Sequence, residues 1–230
     1  MKDESIKIEP VAHIRTDFCD KFGIPRQAGR VAAAKGKIVF VPKYRNLDAL
    51  RGIEGFSHLW LLFDFSEAHR EEWSPTVRPP RLGGNERVGV FASRSPFRPN
   101  PIGLSCVKLE QVLSTERDGV VLMVSGVDLL DGTPIFDIKP YIPFGDCHPE
   151  ANGSYADEFA SHRLSVSFPP ELLALLPEEK RRAAVDCLAE DPRPSYQNDP
   201  NRIYGMKFAG FDIKFFVDGG ELTVSAVEKI

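Results

Sequence analysis

No stretch of this chain approaches the roughly 20 apolar residues that span a bilayer. Its first thirty residues mix acids and bases and hold no apolar run of signal-peptide length. These two absences lead to the expectation of a cytoplasmic protein with no membrane partner. Cysteine is scarce: Cys19, Cys106, Cys147 and Cys187 are far apart and make no short-spaced pair. Without a secretory signal they read as free thiols, and a zinc site would want two closely spaced ligand pairs. The triplet Asp146-Cys147-His148 has ligand-type side chains. Neighbouring residues point in different directions, however, so it reads as a solvated loop and no metal is expected.

The usual cofactor fingerprints are also missing. There is no Gly-x-Gly-x-x-Gly after a strand and no Gly-x-x-x-x-Gly-Lys-Ser/Thr loop, so neither a Rossmann nor a P-loop phosphate cradle is indicated. No Gly-x-Ser-x-Gly elbow occurs, and the five histidines are scattered. His58 opens a Leu-Trp-Leu-Leu-Phe run and reads as a structural imidazole. The net charge of −4 gives no hint of a nucleic-acid binder, but binding depends on where charge sits. Arg78, Arg81, Arg87, Arg94 and Arg98 fall within one segment whose single acid is Glu86, so an acidic chain carries a locally basic stretch.

What is present is an ordinary globular composition, 42% hydrophobic and 27% charged over 230 residues. That length suits one large domain, or a medium domain with a small one. Residues 37–41, 58–65, 88–92, 105–113, 120–127 and 135–141 read as short strands rich in Val, Ile, Leu and Phe, with Gly, Pro or Asp between them. With no long helix intervening, this favours a barrel or sandwich over a parallel α/β sheet. Residues 42–52 have room for a helical turn or two. Residues 145–161 are rich in Gly, Asn, Ser, Asp and Glu and read as a linker. Beyond them come a strand at 164–168 and a short apolar helix at 171–176. A second helix starts after Pro177, with Glu178 and Glu179 at the positive end of its dipole, and stops by Pro192. The chain closes on a predicted hairpin, 207–217 with 221–229, turning through Asp218-Gly219-Gly220. The expected organisation is a β domain at 1–145, a linker at 146–160 and a small α+β domain at 161–230.

Three stretches carry candidate chemistry. The densest is Gly89-Val-Phe-Ala-Ser-Arg94-Ser-Pro-Phe-Arg98-Pro-Asn100-Pro-Ile-Gly103. Its prolines limit the entropy lost on ordering, so it can hold guanidinium forks for a carboxylate or phosphate. It reads equally as a proline-rich corner with solvated arginines. In Asp128-Leu-Leu-Asp131-Gly-Thr-Pro-Ile-Phe-Asp137-Ile-Lys-Pro-Tyr141, carboxylates near strand ends can hold a ribose hydroxyl, an amino group or a cation, or simply cap turns. The third, Phe22-Gly-Ile-Pro25-Arg26-Gln27-Ala-Gly29, sets an Arg that can bond bidentately beside a Gln in a loop, and by itself reads as a structural turn.

Taken with the 55–65 strand, Val77-Arg-Pro-Pro-Arg-Leu-Gly-Gly84, Asp191-Pro-Arg-Pro-Ser-Tyr196 and Tyr204, these motifs resemble the TsaA-like family, whose characterised bacterial members include a tRNA methyltransferase. The resemblance covers nearly the whole chain. It implies a mainly β protein whose single-sheeted β-barrel, followed by the small α+β domain, binds S-adenosylmethionine at or near a homodimer interface. The implied reaction methylates N6 of N6-threonylcarbamoyladenosine, beside the anticodon of a threonine-type tRNA. The cofactor contacts it implies are Pro25, Arg26, Gln27, Phe65, Ser66, Arg94, Leu104, Asp128, Leu129, Leu130 and Asp131. An aromatic face, carboxylates and an arginine complement a sulfonium cation that also bears an amine and a carboxylate. Methyl transfer is chiefly an alignment problem, so neither a metal nor a covalent nucleophile is expected, and the sequence names no general base. For the tRNA, the candidates are Arg78, Arg81, Arg193, Tyr196, Arg202 and Tyr204, since loop bases are stacked upon and backbones met by arginine.

One position departs from the family pattern: Ser66 stands where a histidine is expected. A backbone contact survives that change, whereas an imidazole role does not unless His69 reaches back. The competing readings are a methyltransferase of the same fold acting on another substrate, a non-catalytic RNA-binding module, and a partner-binding barrel. The motifs from Asp191 to Tyr204 favour tRNA.

Overall fold

The computed structural model describes residues 6–82, 86–194, 196–197 and 199–230, with Arg81 described by its backbone alone. Among the described residues, eight strands precede the first α-helix: β1 Ala12–Thr16, β2 Lys35–Phe40, β3 His58–Asp64, β4 Thr76–Val77, β5 Val88–Gly89, β6 Ile102–Thr115, β7 Gly119–Ser125 and β8 Pro134–Pro140. Six of them close a barrel in the order β1-β2-β7-β6-β3-β8. Alternation builds it: Leu59, Leu61 and Phe63 of β3 face inward, as do Ser105 and Val107 of β6 and Ile38 and Phe40 of β2. Register puts Phe63 opposite Gly103. A Cβ on Gly103 would lie 2.2 Å from the Phe63 ring, so this glycine is the space the phenylalanine occupies. Bulges between Leu62 and Phe63 against β8, and between Leu109 and Gln111 against β7, bend the sheet toward closure.

Between β3 and β6 the chain makes a long excursion that carries the β4–β5 pair and several short turns. The expected strand at 88–92 is a strand only at Val88–Gly89; Val90–Ala92 winds into a 3-10 turn. Its partner β4 has only two residues, so the ladder has nothing further to pair with.

After helix α1 Pro143–Asp146, a 3-10 turn at Ser154–Phe159 leads into the small α+β C-terminal domain. Its elements are β9 Ser165–Ser167, α2 Pro170–Leu173, α3 Glu178–Ala189, β10 Tyr204–Phe208, β11 Phe211–Asp218 and β12 Glu221–Lys229. The sheet order is β10-β11-β12-β9, with β9 parallel to β12. The run expected as one strand at 207–217 is broken into β10 and β11. Ala209 (φ 52) and Gly210 (φ 82) make a two-residue turn in the left-handed region, a conformation the Gly signals but the Ala conceals. The 171–176 helix is shorter than expected and starts one residue earlier, on Pro170.

A continuous core joins the two parts. Phe18 of the barrel meets Phe208 of the small sheet at 5.5 Å, and Phe22 stacks on Tyr204 and Phe215 at 6.4 and 6.3 Å. Lys180 of α3 donates to both carboxylate oxygens of Asp17, at 2.8 and 2.6 Å. Among the described residues, no helix is long and apolar enough to cross a membrane. The four cysteines are free, and the described residues contain no cluster of three or more His, Cys, Asp or Glu side chains placed to hold a metal.

Candidate functional site

Two glycines bring the functional segments together. Strand β7 ends at Ser125, and Gly126 (φ 73) turns the chain toward Asp128. Gly29 (φ 80) donates its N–H to the Gly126 carbonyl at 2.8 Å, and a Cβ on Gly126 would lie 3.3 Å from the Gly29 backbone. Both positive φ values and the close approach call for glycine. The 25–29 loop is thereby pressed against the start of the 128–131 run.

Asp128 sits at that junction. Ser105, an inward residue of β6, donates its hydroxyl to Oδ1 at 2.7 Å, and the Ala28 amide donates as well. Burial pushes the Asp128 carboxyl up to about 6, against the opposing pull of those hydrogen bonds and of the Arg94 charge. Arg94 is exposed and donates from Nη1 to Oε1 of Gln27. The two arginines of the proline-rich signature therefore have different work. Arg98 folds back on its own segment, donating to the carbonyls of Ser93 at 2.9 Å and Ser95 at 3.4 Å. Arg94 projects into the cluster.

The remaining cofactor candidates divide. Phe65 is half-buried, meets Phe63 edge-on at 5.0 Å, and is held by its amide on the Pro101 carbonyl at 2.8 Å. Ser66 is exposed, and His69 is engaged with Asp64 at 2.7 Å. Leu104 is 56% exposed on the outer wall of β6, next to Ser105 but on the opposite face. Leu129 is buried in the core, so its side chain is spent on packing. Its carbonyl already accepts from Thr16 Oγ1 at 3.0 Å. The Leu130 carbonyl accepts from Thr133 Oγ1 at 2.7 Å. Asp131 turns away from Asp128: it accepts from the Thr16 amide at 2.9 Å and from Arg15 Nη1 at 3.5 Å, capping the end of β1. Pro25 is buried, and Arg26 leaves the cluster to donate from Nη2 to the Arg193 carbonyl at 3.0 Å. Asp137 forms a solvated pair with Lys139 at 2.8 Å. Asp146 accepts from the Ile142 amide at 2.8 Å and Trp60 Nε1 at 3.0 Å, so it caps a loop.

The tRNA candidates divide too. Arg193 is only 8% exposed: Nε and Nη2 grip Asp191 at 2.9 and 3.1 Å, and Nη1 donates to the Gln197 carbonyl at 3.3 Å. Tyr204 is buried between Phe22 and Phe215. Both are packing elements, contrary to the surface role expected of them, because tertiary burial has claimed their rings and donors. Arg202 lies exposed over the Tyr204 ring at 5.2 Å, and Tyr196 is 61% exposed. Arg78 is exposed, whereas the side chain of Arg81 lies outside the described residues.

One feature escaped the sequence. A cleft of ≈ 600 Å³ on the outer barrel wall is lined by His13, Arg15, Lys37, Arg45 and Arg117, with Asp118 paired to Lys37 at 2.7 Å. Its cations come from separate segments, so no local run of charge signals it.

A polar cluster with one exposed guanidinium and one buried carboxylate of raised pKa, on a barrel whose β3 end carries the half-buried Phe65, suits a ligand carrying an acid, a cation and ribose hydroxyls. The sequence matches the tRNA-methyltransferase O N-terminal domain over residues 13–147 and the TrmO C-terminal domain over residues 161–230. It is 43% identical to a tRNA (adenine(37)-N6)-methyltransferase of Escherichia coli K12, covering 97% of this chain and 98% of that one. It is 40% identical to a putative S-adenosylmethionine-dependent methyltransferase, RcsF, of Pseudomonas aeruginosa, covering 90% of each chain. The fold superposes on a crystal structure of TrmO from P. aeruginosa with a TM-score of 0.80 and 33% identity, covering 100% of both.

Proposed function

Because this chain belongs to the tRNA-methyltransferase O family, we propose that it is an S-adenosylmethionine-dependent methyltransferase acting on N6 of the tRNA adenine at position 37. The observation that carries the reading is the cluster at the barrel end, where Gln27, the Ala28 amide, Arg94, Ser105 and Asp128 converge. When bound, S-adenosylmethionine would supply an electrophilic methyl group: its sulfur–methyl bond would break as the N6–methyl bond forms, the sulfur leaving as a neutral thioether and the N6 proton passing to solvent.

The residues do the holding. Asp128 offers a shielded carboxylate to an amino group or ribose hydroxyl, oriented by Ser105 and Ala28. Arg94 and Gln27 present a paired guanidinium and amide to a carboxylate, and Phe65 offers a ring face to positive charge. Pro25 adjoins the Gln27 loop and Ser66 adjoins Phe65 in the chain, whereas Leu104 lies on the opposite face of β6 from Ser105 and the Leu129 and Leu130 carbonyls and the Asp131 amide are already paired, so the 129–131 run contributes shape. The share assigned to Arg26 and Asp131 is indirect, since their side chains are engaged elsewhere. Fixing donor and acceptor in line is the main source of rate for such a transfer.

The finer reading takes N6-threonylcarbamoyladenosine of a threonine-type tRNA as substrate. Residues 1–145 serve as the cofactor barrel, 146–160 as the linker and 161–230 as the small domain that meets RNA through Tyr196 and Arg202. Arg78 and the basic cleft of Arg15, Arg45 and Arg117 supply phosphate contacts. The exposed Ile102 and Leu104, on the outer face of β6 opposite Ser105, support a homodimer that packs there, working in the cytoplasm where its substrate is.

The test is transfer of a labelled methyl group from S-adenosylmethionine into tRNA prepared with and without the threonylcarbamoyl group. Label confined to the carbamoylated tRNA is expected. Label on the unmodified tRNA alone would overturn the finer substrate, and none on either would overturn the enzyme.

A further inference from the structure

The 26–30 loop is gripped from two sides. Its middle serves the barrel cluster: Gln27 accepts from Arg94, and the Ala28 amide meets Asp128. Its ends reach the small domain. Arg26 Nη2 donates to the Arg193 carbonyl at 3.0 Å, and Arg30 Nε donates to Glu190 Oε2 at 2.8 Å. The Arg30 carbonyl in turn accepts from Arg163 Nη2 at 2.9 Å, while Arg30 Nη1 donates to the Ala160 carbonyl.

The anchors on the far side are rigid. Glu190 is 4% exposed and shared between Arg30 and Arg163, each at 2.8 Å. Asp191 holds a left-handed backbone (φ 52), and Arg193 locks it in a two-pronged pair. Removing one member of such a buried set leaves a charge without its counterpart, so the set holds as a unit. A loop fixed at both ends loses little further entropy when a ligand binds its middle.

We propose that residues 190–193 of the small domain clamp the 26–30 loop, so that Glu190 and Arg193 are positioning residues for the methyl donor and not contacts to RNA. The proposal rests on the reading that the Gln27–Asp128 cluster takes S-adenosylmethionine. It gives the small domain a second role, that of shaping a cofactor site built on the barrel.

The experiment titrates S-adenosylmethionine into the full-length wild type and into Arg30→Ala, Arg30→Lys and Glu190→Gln. Melting temperature, amide hydrogen exchange of residues 27–29 and the KM for tRNA are measured in parallel. Arg30→Ala and Glu190→Gln are expected to weaken the cofactor by about tenfold, the loss of one or two charge-assisted hydrogen bonds felt through the loop. Exchange at residues 27–29 rises, and the KM for tRNA stays put. Arg30→Lys, which keeps the charge and one bond, recovers part of the loss. Arg182→Ala, which removes an exposed guanidinium paired with Asp186 on the same helix, serves as the control and leaves cofactor affinity unchanged.

If Glu190→Gln fails to fold, the two Arg30 variants still decide. Unchanged cofactor affinity in Arg30→Ala, or a raised KM for tRNA with normal cofactor affinity, overturns the clamp. Absence of binding in the wild type overturns the underlying reading instead.

Discussion

Two charged clusters share one loop and are built to opposite rules. At the barrel end, Asp128 is shielded from water, its donors include the neutral Ser105 hydroxyl and Ala28 amide, and its carboxyl is pushed up to about 6. At the seam with the small domain, burial also pushes Asp191 up, but the hydrogen bonds and charge of Arg193, helped by His162, outweigh it and leave the carboxyl below its ordinary range. The difference lies in a matched guanidinium. Where every charge has a partner the cluster holds structure together; where a carboxylate is sheltered without a paired guanidinium, it keeps the capacity to accept a further donor.

The sharpest way to break this comparison is to remove a partner from the saturated cluster. Arg193→Ala leaves the buried Asp191 with only the His162 imidazole beside it, and a loss of about 3 kcal/mol in unfolding free energy is expected. Chemical denaturation checks it; a loss too small to resolve would mean the seam is wetter than its burial says. Arg94→Ala should do the reverse, weakening S-adenosylmethionine by roughly tenfold or more while leaving stability nearly untouched, because Arg94 is exposed. The two variants together form a double dissociation.

The raised carboxyl makes a pH prediction with two signs. Between the ordinary aspartate value of 3.8 and about 6, the folded state keeps a proton on Asp128 that the unfolded chain has released. Its contribution to stability is therefore full below 3.8 and is lost as pH rises through about 6. Cofactor affinity runs the other way, rising through the same range as the carboxylate becomes free to accept. Asp128→Asn flattens both curves, which titration calorimetry and thermal melts in matched buffers will show. The smallest effect belongs to the basic cleft. Arg117→Ala should raise the KM for tRNA about twofold and lower the salt slope of binding by about one, with no change in cofactor affinity.

Much of this fold is legible in the chain because alternation and turn residues are local signals. The inward Leu59, Leu61 and Phe63 announce β3, and the Asp218-Gly219-Gly220 turn announces the last hairpin. Strand β1 gives too weak a signal to be singled out, since Ala-His-Ile-Arg-Thr offers only two residues that go fully inside. Ala209 hides a turn because left-handed alanine is rare. At the site, the gathering of Gln27, Arg94 and Asp128 follows from motif resemblance. The desertion of Arg26 to the seam does not, because it depends on a carbonyl 167 residues away. Arg193 and Tyr204 pass for surface contacts for the same reason: sequence gives a side chain's chemistry, and only packing decides whether water reaches it.

The central claim is that the barrel-end cluster holds the methyl donor, and calorimetric titration of S-adenosylmethionine into wild type and Arg94→Ala tests it most directly. The account predicts saturable binding in the wild type, clearly weaker in a variant that melts at the same temperature. Equal binding by the two proteins, or none by the wild type with or without tRNA, would contradict it.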